Sequence, residues 1–251
     1  MVAQLSRLVE FLDETLDTKS VVDYPGAQNG LQVENSGRVE KIGAAVDACE
    51  AVIEEAAARG VSLLLVHHGL YWAPARLTGA MYRKMRTAFS HDLAVYSSHL
   101  PLDLHATLGN NALLCKALGL KEATPAFAYK GQPIGLKVKA ELPLEELARR
   151  LESVLGSAPH LSAGGPRKTR CIGIVTGGAG SEVTQAAAEG VDTFITGEGP
   201  HHTYTLAEEL GVNLFYGGHY ATETFGVKAL AEKLAKKFRL PWEFIDHPTG
   251  L

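Results

Sequence analysis

The chain has 251 residues, with 24 Lys plus Arg against 28 Asp plus Glu and a formal net charge of −4. Hydrophobic residues make up 46% and charged residues 21%, which excludes a disordered chain and supports a sizeable core in one large domain or two small ones. The mild acidity weighs against a general electrostatic nucleic-acid binder without excluding a local basic patch. No apolar run approaches the roughly 20 residues of a membrane span, and the N-terminus lacks the basic and apolar regions of a signal peptide. Cys49, Cys115 and Cys171 are widely spaced and form no CxxC pair, so the expectation is reduced thiols in a cytoplasmic protein.

In chain order, Leu5, Leu8, Val9, Leu12 and Leu16 mark an amphipathic helix over residues 2–16. Residues 23–37 are turn-rich. A short apolar strand spans Ile42 to Val46, and a helix from about Glu50 to Arg59 is capped by Gly60. Val61 to Val66 is a fully apolar strand of the parallel-sheet kind, with His67, His68 and Gly69 at its carboxyl end. A helix near 79–90 precedes a strand from Leu93 to Ser97, then His99 and Asp103, then a helix from about Asn110. In the middle, residues 131–142 read as strand and turn and Pro143 to Leu155 as a helix; 156–170 is a Gly-, Ser-, Pro- and basic-rich loop.

The second half repeats the first. Ile42 stands over Ile172, Gly60 over Gly190 and His68 over Glu198 at an offset of 130. After a ten-residue deletion, Tyr96, His99 and Asp103 stand over Tyr216, His219 and Glu223. This pattern points to an internal duplication of a βαβ-containing unit. The expected fold is α/β: two related halves, 1–122 and 123–251, packed with pseudo-twofold symmetry, in mostly parallel or mixed sheets flanked by helices. The C-terminal helix could pack on the first half.

Such sheets bind ligands at the carboxyl ends of their strands, where this sequence concentrates imidazoles and carboxylates. Clustered carboxylates repel unless a cation intervenes. Imidazole with carboxylate suits Zn, Fe(II) or Mn rather than Mg or Ca. Five ligands exceed what one open zinc site uses, and two bridging carboxylates suit a dinuclear centre with ions ~3.5–4 Å apart that generates hydroxide near neutral pH. Gly177-Gly178-Ala179-Gly180-Ser181 reads as a tight turn with Ser181 or a neighbour as N-cap, and becomes a candidate phosphate contact if the substrate is a nucleotide.

Several motifs resemble one family. They are Asn29-Gly30-Leu31-Gln32-Val33, His67-His68-Gly69-Leu70-Tyr71-Trp72, Ser98-His99-Leu100-Pro101-Leu102-Asp103, Thr196-Gly197-Glu198 and Gly218-His219-Tyr220-Ala221-Thr222-Glu223. Together they resemble the NGG-one-interacting-factor-three-like proteins (GTP cyclohydrolase 1 type 2 homologues) in the short form. The resemblance implies two divalent metal ions held by His67, His68, Asp103, His219 and Glu223, with Asp103 and Glu223 bridging. It also implies a toroidal homohexamer whose sites open inward. His99 is expected to contact substrate or support the ligands, and Glu198 to serve as general acid or base. Gly199-Pro200-His201-His202 is a variable version of the family's connector, which leaves the roles of His201 and His202 open. The expected activity is metal-dependent hydrolysis of the cyclohydrolase type, through a metal-bound hydroxide, on a nucleotide such as GTP. The alternative is a non-catalytic metal-handling or metal-insertion protein, or a ring that binds single-stranded DNA.

Overall fold

The computed structural model describes all 251 residues, which form a mixed α/β protein with two mixed sheets flanked by helices. The chain divides into two compact units, one of residues 1–102 and 226–247, the other of 103–225 and 248–251. No helix is long and apolar enough to cross a membrane.

The first unit opens with β1 (Ala3–Gln4), α1 (Leu5–Leu16), β2 (Gly30–Val33), β3 (Arg38–Val39) and β4 (Ile42–Asp47). It continues through α2 (Glu50–Ala58), β5 (Leu63–His68), α3 (Gly79–Ser90), β6 (Ala94–Ser97) and the short α4 (Leu100–Asp103) that leads out of it. The second unit carries α5 (Asn110–Ala117), β7 (Thr124–Tyr129), β8 (Gln132–Lys139), α6 (Leu144–Leu155), β9 (His160–Ala163) and β10 (Cys171–Ile174). Then come a 3-10 turn at Gly180–Glu182, α7 (Val183–Ala188), β11 (Thr193–Thr196), α8 (His202–Leu210) and β12 (Asn213–Tyr216). Helix α9 (His219–Phe238) returns the chain to the first unit, which ends on β13 (Trp242–Phe244).

In the first unit the sheet order is β13-β4-β5-β6-β2. Strands β13, β4, β5 and β6 run parallel, and β2 joins antiparallel to β6. The apolar run Leu63 to Val66 becomes the middle strand because its residues are buried on both faces. Its helix-facing side packs into a core with Val52, Ile53, Ala56, Met85 and Ala88. Along α1, Leu5, Leu8, Leu12 and Leu16 recur every three or four residues, and all four are buried. Burying each contributes about 1.5–3 kcal/mol.

In the second unit the order is β7-β8-β10-β11-β12-β9. Only β10, β11 and β12 are parallel neighbours; β7, β8 and β9 pair antiparallel. Leu147 and Leu151 of α6 bury against Ile172, Ile174, Ile195 and Phe215. Gly60 and Gly190, expected as left-handed caps, have φ of +69° and +79°.

Three sequence expectations are modified. Strand β2 lies inside the turn-rich stretch 23–37, and β9 inside the loop 156–170. Both are four-residue strands of antiparallel edges, stabilised by pairing rather than by apolar content. Ser181 sits within the 3-10 turn, and it is its neighbour Glu182 that takes the N-cap position of α7, without a side-chain cap bond.

Candidate metal centre

In the first unit, His67 and His68 close β5, the middle parallel strand. His67 is 0% exposed. Its Nδ1 lies 2.9 Å from the carbonyl of Ser98. A carbonyl only accepts, so Nδ1 carries the proton and Nε2 keeps a lone pair for a metal. The β4–β5 register sets Asp47 opposite His68, and Asp47 Oδ1 accepts from His68 Nδ1 at 2.8 Å. His99 follows β6, with Nδ1 2.8 Å from Asp23 Oδ1. All three rings thus have the same nitrogen tied to an acceptor. Ligand nitrogens of His67, His68 and His99 lie within 4.8 Å of one another. Such an arrangement could hold a metal ion, with outer carboxylates fixing tautomer and ring orientation.

Asp23 is the hub of the loops around His99. Its Oδ2 accepts from Asn29 Nδ2 at 2.8 Å and from the Leu100 amide at 3.1 Å. Burial alone would raise its carboxyl, but hydrogen bonds and charge from His99, with Asn29 and the Tyr24 amide, outweigh that and lower its pKa to about 2. Asn29 also accepts the His99 amide at 2.7 Å, and Gln32 accepts the Leu70 amide at 2.6 Å. The Asn29-Gly30-Leu31-Gln32 segment therefore pins both histidine loops. Around the imidazoles stand Trp72, its ring centroid 5.0 Å from His99 and 5.8 Å from His68, and Tyr24, 5.7 Å from His99.

In the second unit, the ends of β10, β11 and β12 deliver Gly177, Glu198 and His219. His219 opens α9, and Glu223, one turn on, is 2% exposed. His219 Nε2 lies 3.1 Å from Glu223 Oε2, and its Nδ1 3.0 Å from Glu198 Oε1. Burial would lower the His219 pKa; the two carboxylates overcome it and raise it to about 9 in the metal-free chain. One ring nitrogen cannot hold a proton and a metal together, so a metal at Nε2 would displace a proton that these carboxylates now favour. Asp103 is 8% exposed at the end of α4, and Asn110 Nδ2 donates to its Oδ1 at 2.7 Å. Asn111 Oδ1 accepts the Thr176 amide at 2.9 Å, tying α5 to the loop after β10.

Glycines make this packing feasible. A Cβ on Gly177, whose φ is +71°, would lie 2.2 Å from Glu223 Oε1, and one on Gly197 2.7 Å from the His219 Cα. The Gly177 carbonyl accepts the amides of Gly197 and Glu198 and the Thr196 hydroxyl. The tight glycine-rich turn expected from sequence packs closely on His219 and Glu223 through Gly177 and Gly178. His201 and His202 stand at the start of α8.

The first unit thus brings together His67, His68 and His99, and the second His219, Glu223 and Glu198. Sequence reading did not single out Asp23 and Asp47. Their only advance signal was position: Asp47 ends an apolar strand, and Asp23 opens the turn-rich stretch.

A family model described as Duf34/NIF3 (NGG1p interacting factor 3) matches residues 3–249. The chain belongs to the NIF3 family. Among curated relatives, a Deinococcus radiodurans protein is 39% identical over 248 residues, covering 97% of this chain and 93% of that one. A Pyrococcus abyssi protein is 39% identical over 249 residues, covering 97% and 98%. Both are named GTP cyclohydrolase 1 type 2 homolog. A crystal structure of a Thermus thermophilus protein superposes with a TM-score of 0.91 at 39% identity, covering 99% of this chain and 100% of that one. Reduced HcgD from Methanocaldococcus jannaschii superposes with a TM-score of 0.87 at 26% identity, covering 98% and 99%. Membership of this family is what the resemblance in the sequence motifs implied.

Proposed function

We propose that the chain is a metal-dependent hydrolase of the GTP cyclohydrolase 1 type 2 homologue class. In this reading His67, His68, Asp103, His219 and Glu223 would hold two divalent cations drawn from Zn, Fe and Mn. The observation that carries it is that His67, His68 and His99 each set Nδ1 on an acceptor and bring their ligand nitrogens within 4.8 Å of one another. The donor set fits: imidazole nitrogens with carboxylate oxygens suit these borderline cations. When bound, the ions would supply Lewis acidity and lower the pKa of water towards about 7.

The chain's own residues do the rest. Asp47 orients His68, and Glu198 orients His219 through one oxygen. His99, steadied by Asp23, and Glu198 are the groups that would move a proton at the reacting atom. Relatives carrying the cyclohydrolase name support a nucleotide as substrate. The proposal includes a toroidal homohexamer with sites opening inward, and a duplication relating the two units. The duplication is supported by register: Ile42 pairs with Leu63 and Ile172 with Thr193, an offset of 130 at both positions. At the next strand the match slips by one residue, Leu63 facing Ala94 while Thr193 faces Asn213.

Elemental analysis of His68→Ala and His99→Ala, paired with nucleotide turnover, tests the assignment. His68→Ala should lose bound metal and turnover. His99→Ala should keep its metal and lose turnover by roughly 10²–10⁴-fold, the range for a general acid or base. Full metal in His68→Ala would refute the ligand set. Stoichiometric metal in the wild type with no turnover on any nucleotide would favour a metal-handling protein.

A further inference from the structure

Beyond the loop that carries Glu198, the second unit holds a cavity of about 420 Å³ lined by His160, Glu198, Gly199, Pro200, Tyr204, Tyr216 and their neighbours. Its walls are aromatic by construction. The β9–β12 register sets His160 opposite Tyr216, and their ring centroids are 6.0 Å apart with planes at 33°. Tyr204 of α8 also packs against His160, at 5.4 Å and 35°. The rings are held from behind. Thr203 Oγ1 donates to the Pro200 carbonyl, so the Tyr216 hydroxyl donates to Thr203 Oγ1 at 2.7 Å. Ser162 Oγ donates to the Tyr204 carbonyl at 2.8 Å, fastening β9 to α8.

The volume falls within the roughly 300–1,000 Å³ of small-molecule sites. Rings at this spacing touch one another, so a flat, polarisable guest lies against the wall they form rather than between them, and such stacking is tolerant of base identity. No Lys or Arg is among the lining residues, and the cationic groups open to a phosphate there are confined to the imidazoles of His160 and His201 when protonated, so no fixed positive charge favours a phosphate over a neutral ring. The one acidic side chain, Glu198, accepts from His219 Nδ1 through Oε1 and has further acceptor capacity for N–H groups. A flat ring with an N–H edge, uncharged and without phosphate inside the cavity, satisfies all of these demands.

We propose that this cavity seats the nitrogen heterocycle of a nucleobase, its face against His160, Tyr204 and Tyr216 and its N–H edge towards Glu198. The inference deepens the proposed hydrolase, on which it rests for what then happens to the ring. Binding itself does not depend on turnover. Glu198 would connect the two events, since the same carboxylate touches the imidazole of His219 and the cavity.

The test is equilibrium binding of guanosine, adenosine and uridine to the full chain, by calorimetry and saturation-transfer NMR, with ribose as control and metal content measured on the same samples. Wild type should bind the nucleosides with base protons closest to the protein, and ribose should not compete. His160→Ala should weaken binding about tenfold. Tyr204→Ala should do the same, and Tyr204→Phe, which keeps the ring, should restore it to within about threefold. Metal content should be equal in all four proteins. Absence of nucleoside binding at millimolar concentration in a metal-loaded sample would overturn this inference and leave the metal assignment standing. Equal affinity in His160→Ala, Tyr204→Ala and wild type, or contacts reported from ribose rather than base, would overturn it too. Nucleoside binding by a chain that takes up no metal would uphold the cavity and sink the hydrolase.

Discussion

Each imidazole of the first unit's cluster of His67, His68 and His99 is held by its own acceptor, and the kind of acceptor has consequences. His67 leans on a backbone carbonyl, which no substitution removes; His68 and His99 lean on carboxylates. Asp23 is the more constrained of those two carboxylates. Its pKa falls from 3.8 to about 2 on folding. A depressed folded pKa means that the native chain binds the proton less readily than the unfolded chain. The associated stability is fully present above about pH 4 and is lost as the pH falls through about 2. A shift of nearly two units corresponds to about 2 kcal/mol. Asp23→Asn should therefore be less stable than wild type at pH 6, with the gap narrowing by about 2 kcal/mol between pH 4 and 2. Urea denaturation of the metal-stripped proteins across that range reads it directly. Parallel stability curves would show that Asp23 does not carry the shift.

At the scale of elements, the site is made by what happens just after each parallel strand ends. The chain after β10 turns at Gly177 with φ +71° so closely that an added Cβ would reach Glu223. Gly190, with φ +79°, caps α7 in open space. The pair separates dihedral cost from steric cost. Gly190→Ala should lose about 1 kcal/mol, the left-handed penalty for an L-residue. Gly177→Ala carries that penalty and must also move the Glu223 carboxylate, so a loss of about 3 kcal/mol and reduced metal uptake are expected. Chemical denaturation with elemental analysis of both variants distinguishes them, and equal losses with equal metal would show that Glu223 gives way freely.

The same comparison explains what the sequence made legible. Periodicity exposed α1, and unbroken apolar runs exposed β4 and β5, because burial on one stripe or two faces is written in residue type. Strands β2 and β9 carry Gln32 and His160, and they owe their conformation to neighbours distant in sequence. Metal-type donors were legible for a related reason, since histidines at apolar strand ends are conspicuous. Asp23 and Asp47 were not, because a carboxylate near a turn looks alike whether it faces water or an imidazole across 76 or 21 residues of chain.

For the whole molecule, the decisive question is whether one pair of ions takes donors from both units. Each unit has its own core, so each could in principle unfold in its own transition. Both tryptophans, Trp72 and Trp242, belong to the first unit, so their fluorescence follows that unit, while far-UV circular dichroism follows both. A metal that binds only the native state stabilises it by RT ln(1 + [L]/Kd), about 2.7 kcal/mol at a free concentration of 100 Kd. On the proposed reading, removing metal with a chelator should lower the tryptophan-detected midpoint by a few degrees. His219→Ala, a change in the second unit, should abolish that metal-dependent increment while leaving the metal-free midpoint of the first unit unchanged. A site completed by His67, His68 and His99 alone would behave differently, because the increment would survive His219→Ala intact. Thermal melts of wild type and variant, each with and without metal, decide between a shared centre and a private one.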